Sequence, residues 1–289
     1  MEQTIVRKLQ LRQVVRVFFG RGVISKICFV IICLFVFAAV FAPILTPYNP
    51  TEQSLQEALA GPSAAHPLGA DNLGRDLLTR ILYGARISLI TSLLSSIWAA
   101  TLGTLLGTLA GYYGRILEQS IMRLTDAHLS IPPLILAMVL ASLFGGGVLG
   151  VSIAIGLAVI PTYIRVSNSV VLSIKENDFI TEAALIGLKK WKIVLRHLLP
   201  NCIPSLIVIF TMNLGVAIMI EATLSYLGVG ISPPTPAWGS MVSEGYNYLV
   251  TNPSLALLPG FCVMLIVVSF NIVGDGLRDV LDPRLRGKL

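Results

Sequence analysis

Long stretches almost free of charge dominate this chain. Residues 27–45, 87–112, 119–144, 148–172, 202–227 and 255–273 are each apolar enough to be read as a membrane crossing. A hydrocarbon core about 30 Å thick needs roughly 20 apolar residues per helix. The whole chain is 55% hydrophobic and 12% charged, whereas a soluble domain carries about 25% charge. A soluble globular fold is therefore excluded. No run shows the strict alternation of a barrel strand, so the fold class is all-α polytopic with six transmembrane helices. Gly145-Gly146-Gly147 separates the third and fourth runs and implies a tight helical hairpin.

Charge placement orients these spans, because Lys and Arg accumulate on the cytoplasmic side. Of the 21 basic residues, all but Arg75, Arg80 and Arg86 fall on one side once six spans are drawn. Both termini are expected in the cytoplasm. The net charge of +6 thus marks orientation and does not imply nucleic acid. The first run follows a basic segment but approaches a full span in length, so a signal anchor fits better than a cleaved signal peptide. Cys28, Cys33, Cys202 and Cys262 all lie within spans and read as small apolar residues without a disulfide framework.

Two outer segments stand out. In residues 47–84, His66-Pro67-Leu68-Gly69-Ala70-Asp71 and Gly74-Arg75-Asp76 read as turns feeding a short amphipathic helix that runs into Arg86. The acids beside Arg75 and Arg80 are expected to form surface ion pairs that position the segment, in preference to a catalytic cluster. A lone histidine makes no metal site. Residues 228–254 contain Ser232-Pro233-Pro234-Thr235-Pro236-Ala237-Trp238-Gly239. The prolines forbid continuous helix there. Trp238, Tyr246 and Tyr248 suit either an interfacial aromatic belt or a stiff, re-entrant outer loop facing a partner.

The cytoplasmic segment at 173–201 departs most from the surrounding pattern. Asp178 can cap a helix containing Glu182 and two alanines. Gly187 allows a reversal, and a basic amphipathic helix follows until Pro200. Helix, glycine and helix on this face can dock a soluble partner, or form an ordinary basic loop.

Anchored on Gly187, the stretch resembles the cytoplasmic signature of ABC importer permeases, a Glu-Ala-Ala triplet, a glycine and a terminal Leu-Pro. Here Thr181-Glu182-Ala183 occupies the triplet register, followed by Gly187, His197 and Leu199-Pro200. Thr181 and His197 depart from the pattern, and Glu182-Ala183-Ala184 is shifted by one. The chain also resembles one subfamily, the second permease of dipeptide, oligopeptide and nickel importers. That likeness runs through His66 to Asp76, Tyr83-Gly84-Ala85-Arg86, Glu221-Ala222-Thr223-Leu224-Ser225-Tyr226-Leu227-Gly228, Pro233-Pro234 to Trp238-Gly239, and the tail from Gly274-Asp275 to Asp282-Pro283-Arg284-Leu285-Arg286.

The resemblance implies residues 1–85 as cytoplasmic N-terminus, first helix and outer loop, 86–275 as a five-helix type I permease core, and 276–289 as a cytoplasmic tail. It implies a bacterial cytoplasmic membrane location. It also implies a coupling helix entering a groove of an ATPase subunit, with Ile180, Leu185, Ile186 and Leu188 inserting and Lys189, Lys190 and Lys192 flanking. Thr181, Glu182, Ala183, Ala184, Gly187, Leu199 and Pro200 complete that contact region. The expected partners are a second homologous permease, one or two ATPase subunits, an extracytoplasmic substrate-binding protein and membrane lipid. No catalytic residue, metal or cofactor is expected on this chain; ATP and Mg belong to the ATPase subunits.

The residues agree that energy comes from elsewhere. No Gly-x4-Gly-Lys-Ser/Thr sequence is present, so no phosphate cradle is expected. An ion-coupled secondary transporter or channel is the alternative, and it would need ionisable groups at mid-membrane. Asp126, Arg165, Glu221 and Asp275 fall near span ends. Glu221, the deepest, suits either a translocation path or outer gate, together with Ser225, or a structural group bonded to backbone or outer loop. Gly103, Gly107 and Gly111 form one helix stripe for either a dimer face or internal packing. Pro132-Pro133 and Pro161 are expected to kink their spans. The substrate, peptide or metal chelate, is not legible.

Overall fold

The computed structural model describes residues 23–281. The basic residues before Val23 and the Asp282 to Arg286 part of the tail motif lie outside them. In chain order the helices are α1 (Val23–Leu45), α2 (Leu77–Tyr113), α3 (Arg115–Leu129), α4 (Pro133–Phe144), α5 (Gly147–Ile174), α6 (Asp178–Leu185), α7 (Lys190–Tyr226), α8 (Trp238–Tyr246) and α9 (Ser254–Leu281). The fold is all-helical. Five of these helices are long and apolar enough to cross a bilayer on their own.

The third span is broken. α3 and α4 meet at 91°, so the kink expected at Pro132-Pro133 within the 119–144 span is a full break. Pro132 and Pro133 supply no N–H, and a residue preceding proline is pushed out of helical geometry. Accordingly α3 ends in short-range bonds from Ser130 and Ile131 to the Asp126, Ala127 and His128 carbonyls, and α4 restarts with Pro133 in its first turn. α3 carries Arg115, Glu118, Arg123 and Asp126 on an amphipathic surface, which a count of apolar residues over 119–144 obscures. Pro161, by contrast, sits inside an unbroken α5.

The short helix expected before Arg86 is also revised. It merges with the second span into a single 37-residue helix, α2. Asp76 caps it, accepting the Thr79 N–H at 2.7 Å and the Thr79 hydroxyl at 2.6 Å.

α2 and α5 share the largest interface in the fold. Glycine makes it possible. A Cβ on Gly103 would lie 2.6 Å from Tyr163 Cβ, one on Gly107 2.3 Å from the Ile164 carbonyl oxygen, and one on Gly111 2.8 Å from Val171. The stripe is internal packing within this chain. Ala137, Ala141, Val151, Ala154, Ile155, Ala217 and Leu224 extend the same core to α4 and α7.

Contacts sort the connections into two ends. At one, Gly147 N–H donates to the Gly230 carbonyl at 3.3 Å, and Asn252 Nδ2 donates to the Leu59 carbonyl at 3.4 Å. At the other, Lys175 Nζ donates to the Gly111 carbonyl at 3.4 Å, and Lys190 stands over the Tyr113 ring. The α3–α4 pair carries the chain from one end to the other, between Gly114 and Gly145. The segments grouped by charge are thus also grouped in space. Cys28 and Cys202 are buried and Cys262 partly so, while Cys33 faces outward; all are free thiols.

Candidate functional site

At the end bearing Lys175 and Lys190, α6 projects a small apolar tip. It begins at Asp178 itself, after Asn177, whose carbonyl accepts the Ile180 and Thr181 N–H groups. Gly187 takes φ +80°, and the Leu188 N–H returns to the Ala183 carbonyl at 3.1 Å. This six-to-one closure is the geometry in which a left-handed glycine stops a helix. Nothing lies within 4 Å of where a Gly187 Cβ would stand.

The closure fixes which side chains can be offered to a partner. Leu185 and Ile186 are 81% and 78% exposed, with Phe179, Thr181 and Glu182 also exposed. Ile180 is not available: it packs with Ala183 against Val171, Ile193, Val194 and Leu198 of this chain. Its expected place in a partner's groove is therefore corrected, since α6 needs one apolar face to hold it to α5 and α7. Leu188 and Leu199 are partly buried against the same cluster, and Pro200 is exposed. Ala184 lies within α6.

The basic helix does not stop at Pro200. It is the first part of α7, which continues through a π-helical turn at Val194–Leu198, where the Leu199 N–H bonds to the Val194 carbonyl. Placing the wide turn just before Pro200 lets the helix continue past a residue without an N–H. Asn201 Nδ2 donates to the His197 carbonyl at 2.6 Å.

At the opposite end, motifs far apart in sequence meet. Asp71, Arg75, Asp76 and Arg80 of the first outer segment are buried, not superficial. Arg75 Nε contacts Asp71 Oδ2 at 2.6 Å, and Arg80 Nε approaches the same oxygen at 3.3 Å. Both guanidinium groups then donate to Glu244 Oε2 on α8, at 2.9 and 3.0 Å. Sequence reasoning missed Glu244. It is the sole acid in residues 228–253, and that scarcity was the available signal.

His66 Nδ1 lies 2.9 Å from Asp76 Oδ1 and Nε2 lies 3.5 Å from Glu57 Oε2. Its hydrogen bond to Asp76 raises its pKa above the ordinary imidazole value, against the opposing effect of burial and with help from Glu57.

Trp238 is fully buried, so it is an anchor and not a member of an interfacial belt. Its indole N–H donates to the Ile81 carbonyl at 3.0 Å, and its ring edge lies 3.0 Å from where a Gly84 Cβ would be. Gly239 is pressed on the Ala222 carbonyl, 2.0 Å from its absent Cβ. Tyr246 remains exposed. Beside Ala222, Glu221 is fully buried and bonded to Ser225 at 2.8 Å. Among the described residues, no three His, Cys, Asp or Glu side chains converge to hold a metal ion.

These features define a polytopic helical protein with an exposed apolar tip at one end and a tightly stitched cap at the other. Residues 103–287 match the family of binding-protein-dependent transport system inner membrane components, and residues 11–62 match the N-terminal transmembrane domain of oligopeptide transport permease C. The chain belongs to the first of these families, the permeases of ABC importers.

It is 40% identical to the dipeptide transport system permease protein DppC of Alkalihalophilus pseudofirmus, over 89% of this chain and 84% of that one. It is 38% identical to the glutathione transport system permease protein GsiD of Pectobacterium atrosepticum, over 88% and 85%. Its fold is similar to that of an inward-facing MetNI methionine ABC transporter chain, with a TM-score of 0.57, 20% identity, and coverage of 70% of this chain and 96% of that one. The resemblance in the sequence is upheld, and the ion-coupled alternative finds no support.

Proposed function

We propose that this chain is a permease subunit through which di- or oligopeptides enter the cell, driven by ATP hydrolysis on partner subunits. Peptides are favoured over nickel chelates because the relatives quoted above are named for dipeptide and glutathione transport. The chain sits in the cytoplasmic membrane with both termini inside, a second homologous permease beside it, and one or two ATPase subunits at the α6 tip. A substrate-binding protein docks on the outer cap. ATP and Mg stay with the ATPase subunits, and this chain hydrolyses nothing.

One observation carries the coupling role: Leu185 and Ile186 stand exposed on a tip closed by Gly187 and braced from behind by Ile180. Exposed apolar side chains beside a basic rim suit insertion into a protein groove. ATP-driven motion of that tip would switch the subunit between two packed arrangements.

The test is reconstitution of the permease pair with its ATPase and binding protein in proteoliposomes. Dipeptide uptake should require ATP and the binding protein. Leu185→Asp with Ile186→Asp should leave membrane insertion intact while reducing ATPase co-purification at least tenfold. Full co-purification and uptake in that variant would overturn the coupling assignment. Binding of the cognate extracytoplasmic protein to dipeptides, longer peptides and nickel chelates would decide the substrate.

A further inference from the structure

Two rows of exposed polar side chains meet in the half of the fold that carries the α6 tip. On α3 they are Gln119, Arg123, Asp126 and Ser130, and on α5 Arg165, Ser169 and Ser173. Steps of three and four residues put each row on one helix face. The rows are joined where Arg165 Nη2 donates to Asp126 Oδ1 at 2.5 Å, with the two side chains 51% and 59% exposed. Among the described residues, neither side chain has a second hydrogen bond or ion pair.

α3 has two further faces. Ile121 and Met122 pack on the core and Thr125 is buried. Ile116 and Leu124 are exposed on the other flank, where lipid can cover them.

Depth decides what the polar rows can face. α5 has 28 residues and is about 42 Å long. Centred on a hydrocarbon core about 30 Å thick, it overhangs by about 6 Å at each end. Arg165 stands about 14 Å before the Ile174 end of α5, and therefore about 8 Å inside that core. Charged groups at such a depth face a water-filled cavity or the bundle interior, because lipid tails offer them no hydrogen bonds.

We propose that this polar seam lines the inward half of the translocation path and is a passing contact for a zwitterionic peptide. Arg165 and Arg123 meet the peptide carboxylate, Asp126 meets its ammonium group, and the side chains of Gln119, Ser130 and Ser169 meet its backbone. The seam carries both signs of charge, which complements a cargo that carries both. Its openness suits transit, since a contact on the path must release what it meets. This inference rests on the importer reading above.

The experiment uses the complex reconstituted in proteoliposomes, with dipeptides presented on saturating binding protein. Uptake of the acidic dipeptide Ala-Asp relative to the basic Ala-Lys should fall at least threefold in Arg165→Gln and rise at least threefold in Asp126→Asn. Gln119→Glu adds a negative charge without touching the ion pair, and should shift the ratio in the same direction as Arg165→Gln. Ser169→Cys should react at least fivefold faster than Leu124→Cys with a membrane-impermeant maleimide added on the ATPase side, after correction for labelling of the parent.

An unshifted ratio in Arg165→Gln, Asp126→Asn and Gln119→Glu overturns the proposal. So does labelling of Ser169→Cys as slow as that of Leu124→Cys, which would assign the seam to contact with the second permease. If a charge variant fails to assemble, Gln119→Glu and Ser169→Cys decide, since neither removes a member of the ion pair. Absence of ATP-dependent uptake in the unsubstituted complex would instead defeat the importer reading.

Discussion

Arg80 and Glu244 are 164 residues apart in sequence, yet the guanidinium donates to the carboxylate at 3.0 Å in the buried outer cap. Glu244 also serves Arg75. Removing it leaves two buried cations sharing one acid, Asp71, with Arg80 keeping only the Pro50 carbonyl besides. Breaking a buried pair by deleting one partner is destabilising by about 3–5 kcal/mol. The Glu244 side chain is partly exposed, which argues for the lower part of that range. Glu244→Ala should therefore lower the thermal unfolding midpoint in detergent markedly, and Glu244→Asp should do so less. An unchanged midpoint for Glu244→Ala would show that the cluster carries no net stability.

His66 gives the cap a pH dependence of definite sign. Its bond to Asp76 raises its pKa in the folded state above 6.5. The protonated ring is thus favoured by folding. Its stabilisation is fully present below pH about 6.5 and fades as pH rises through the raised folded value. The unfolding midpoint should fall across that window, and His66→Gln should flatten this part of the profile. An NMR titration giving His66 an ordinary imidazole pKa would contradict it.

The interface between α2 and α5 tolerates no added atom at Gly107. Its Cβ would lie 2.3 Å from a backbone oxygen, which cannot rotate away as a side chain would. Gly107→Ala should be destabilising by about 1–3 kcal/mol, the usual range for overpacking. Gly61→Ala is the control, since nothing lies within 4 Å of that site. Equal unfolding midpoints for the two variants would rule out a tight helix contact.

Gly187 tests conformation separately from space. The surroundings are empty but φ is +80°. A left-handed backbone disfavours ordinary residues by roughly 1–2 kcal/mol, β-branched ones most and asparagine least. Gly187→Val should weaken ATPase co-purification and transport while the chain still inserts. Gly187→Asn should restore much of both. Similar losses for Val and Asn would mean that the glycine is needed for close approach of a partner.

Much of this was legible in the sequence, because membrane burial imposes coarse rules. Apolar run length gave six crossings, five of which are single helices and one the bent α3–α4 pair, and the placement of Lys and Arg separated the two ends. The Gly187 reversal followed from the glycine itself. The outer cap resisted reading for a physical reason: Asp71, Arg75, Asp76 and Arg80 resemble a solvated surface until Glu244 arrives from a remote segment to pair with Arg75 and Arg80. Trp238 was ambiguous likewise, since an indole suits a membrane interface and a buried seat equally well until Gly84 is seen to provide the space. Ile180 could not be distinguished from Leu185 and Ile186 without knowing which face of α6 packs on α5 and α7.

The break before α4 has a consequence for the backbone around it. Twelve residues of helix extend about 18 Å, some 12 Å short of a 30 Å hydrocarbon layer. α5 covers the full thickness beside it. One arm of this hairpin is therefore a half-depth stub, and the backbone exposed at its break must be met by protein or water, because lipid offers no hydrogen bonds.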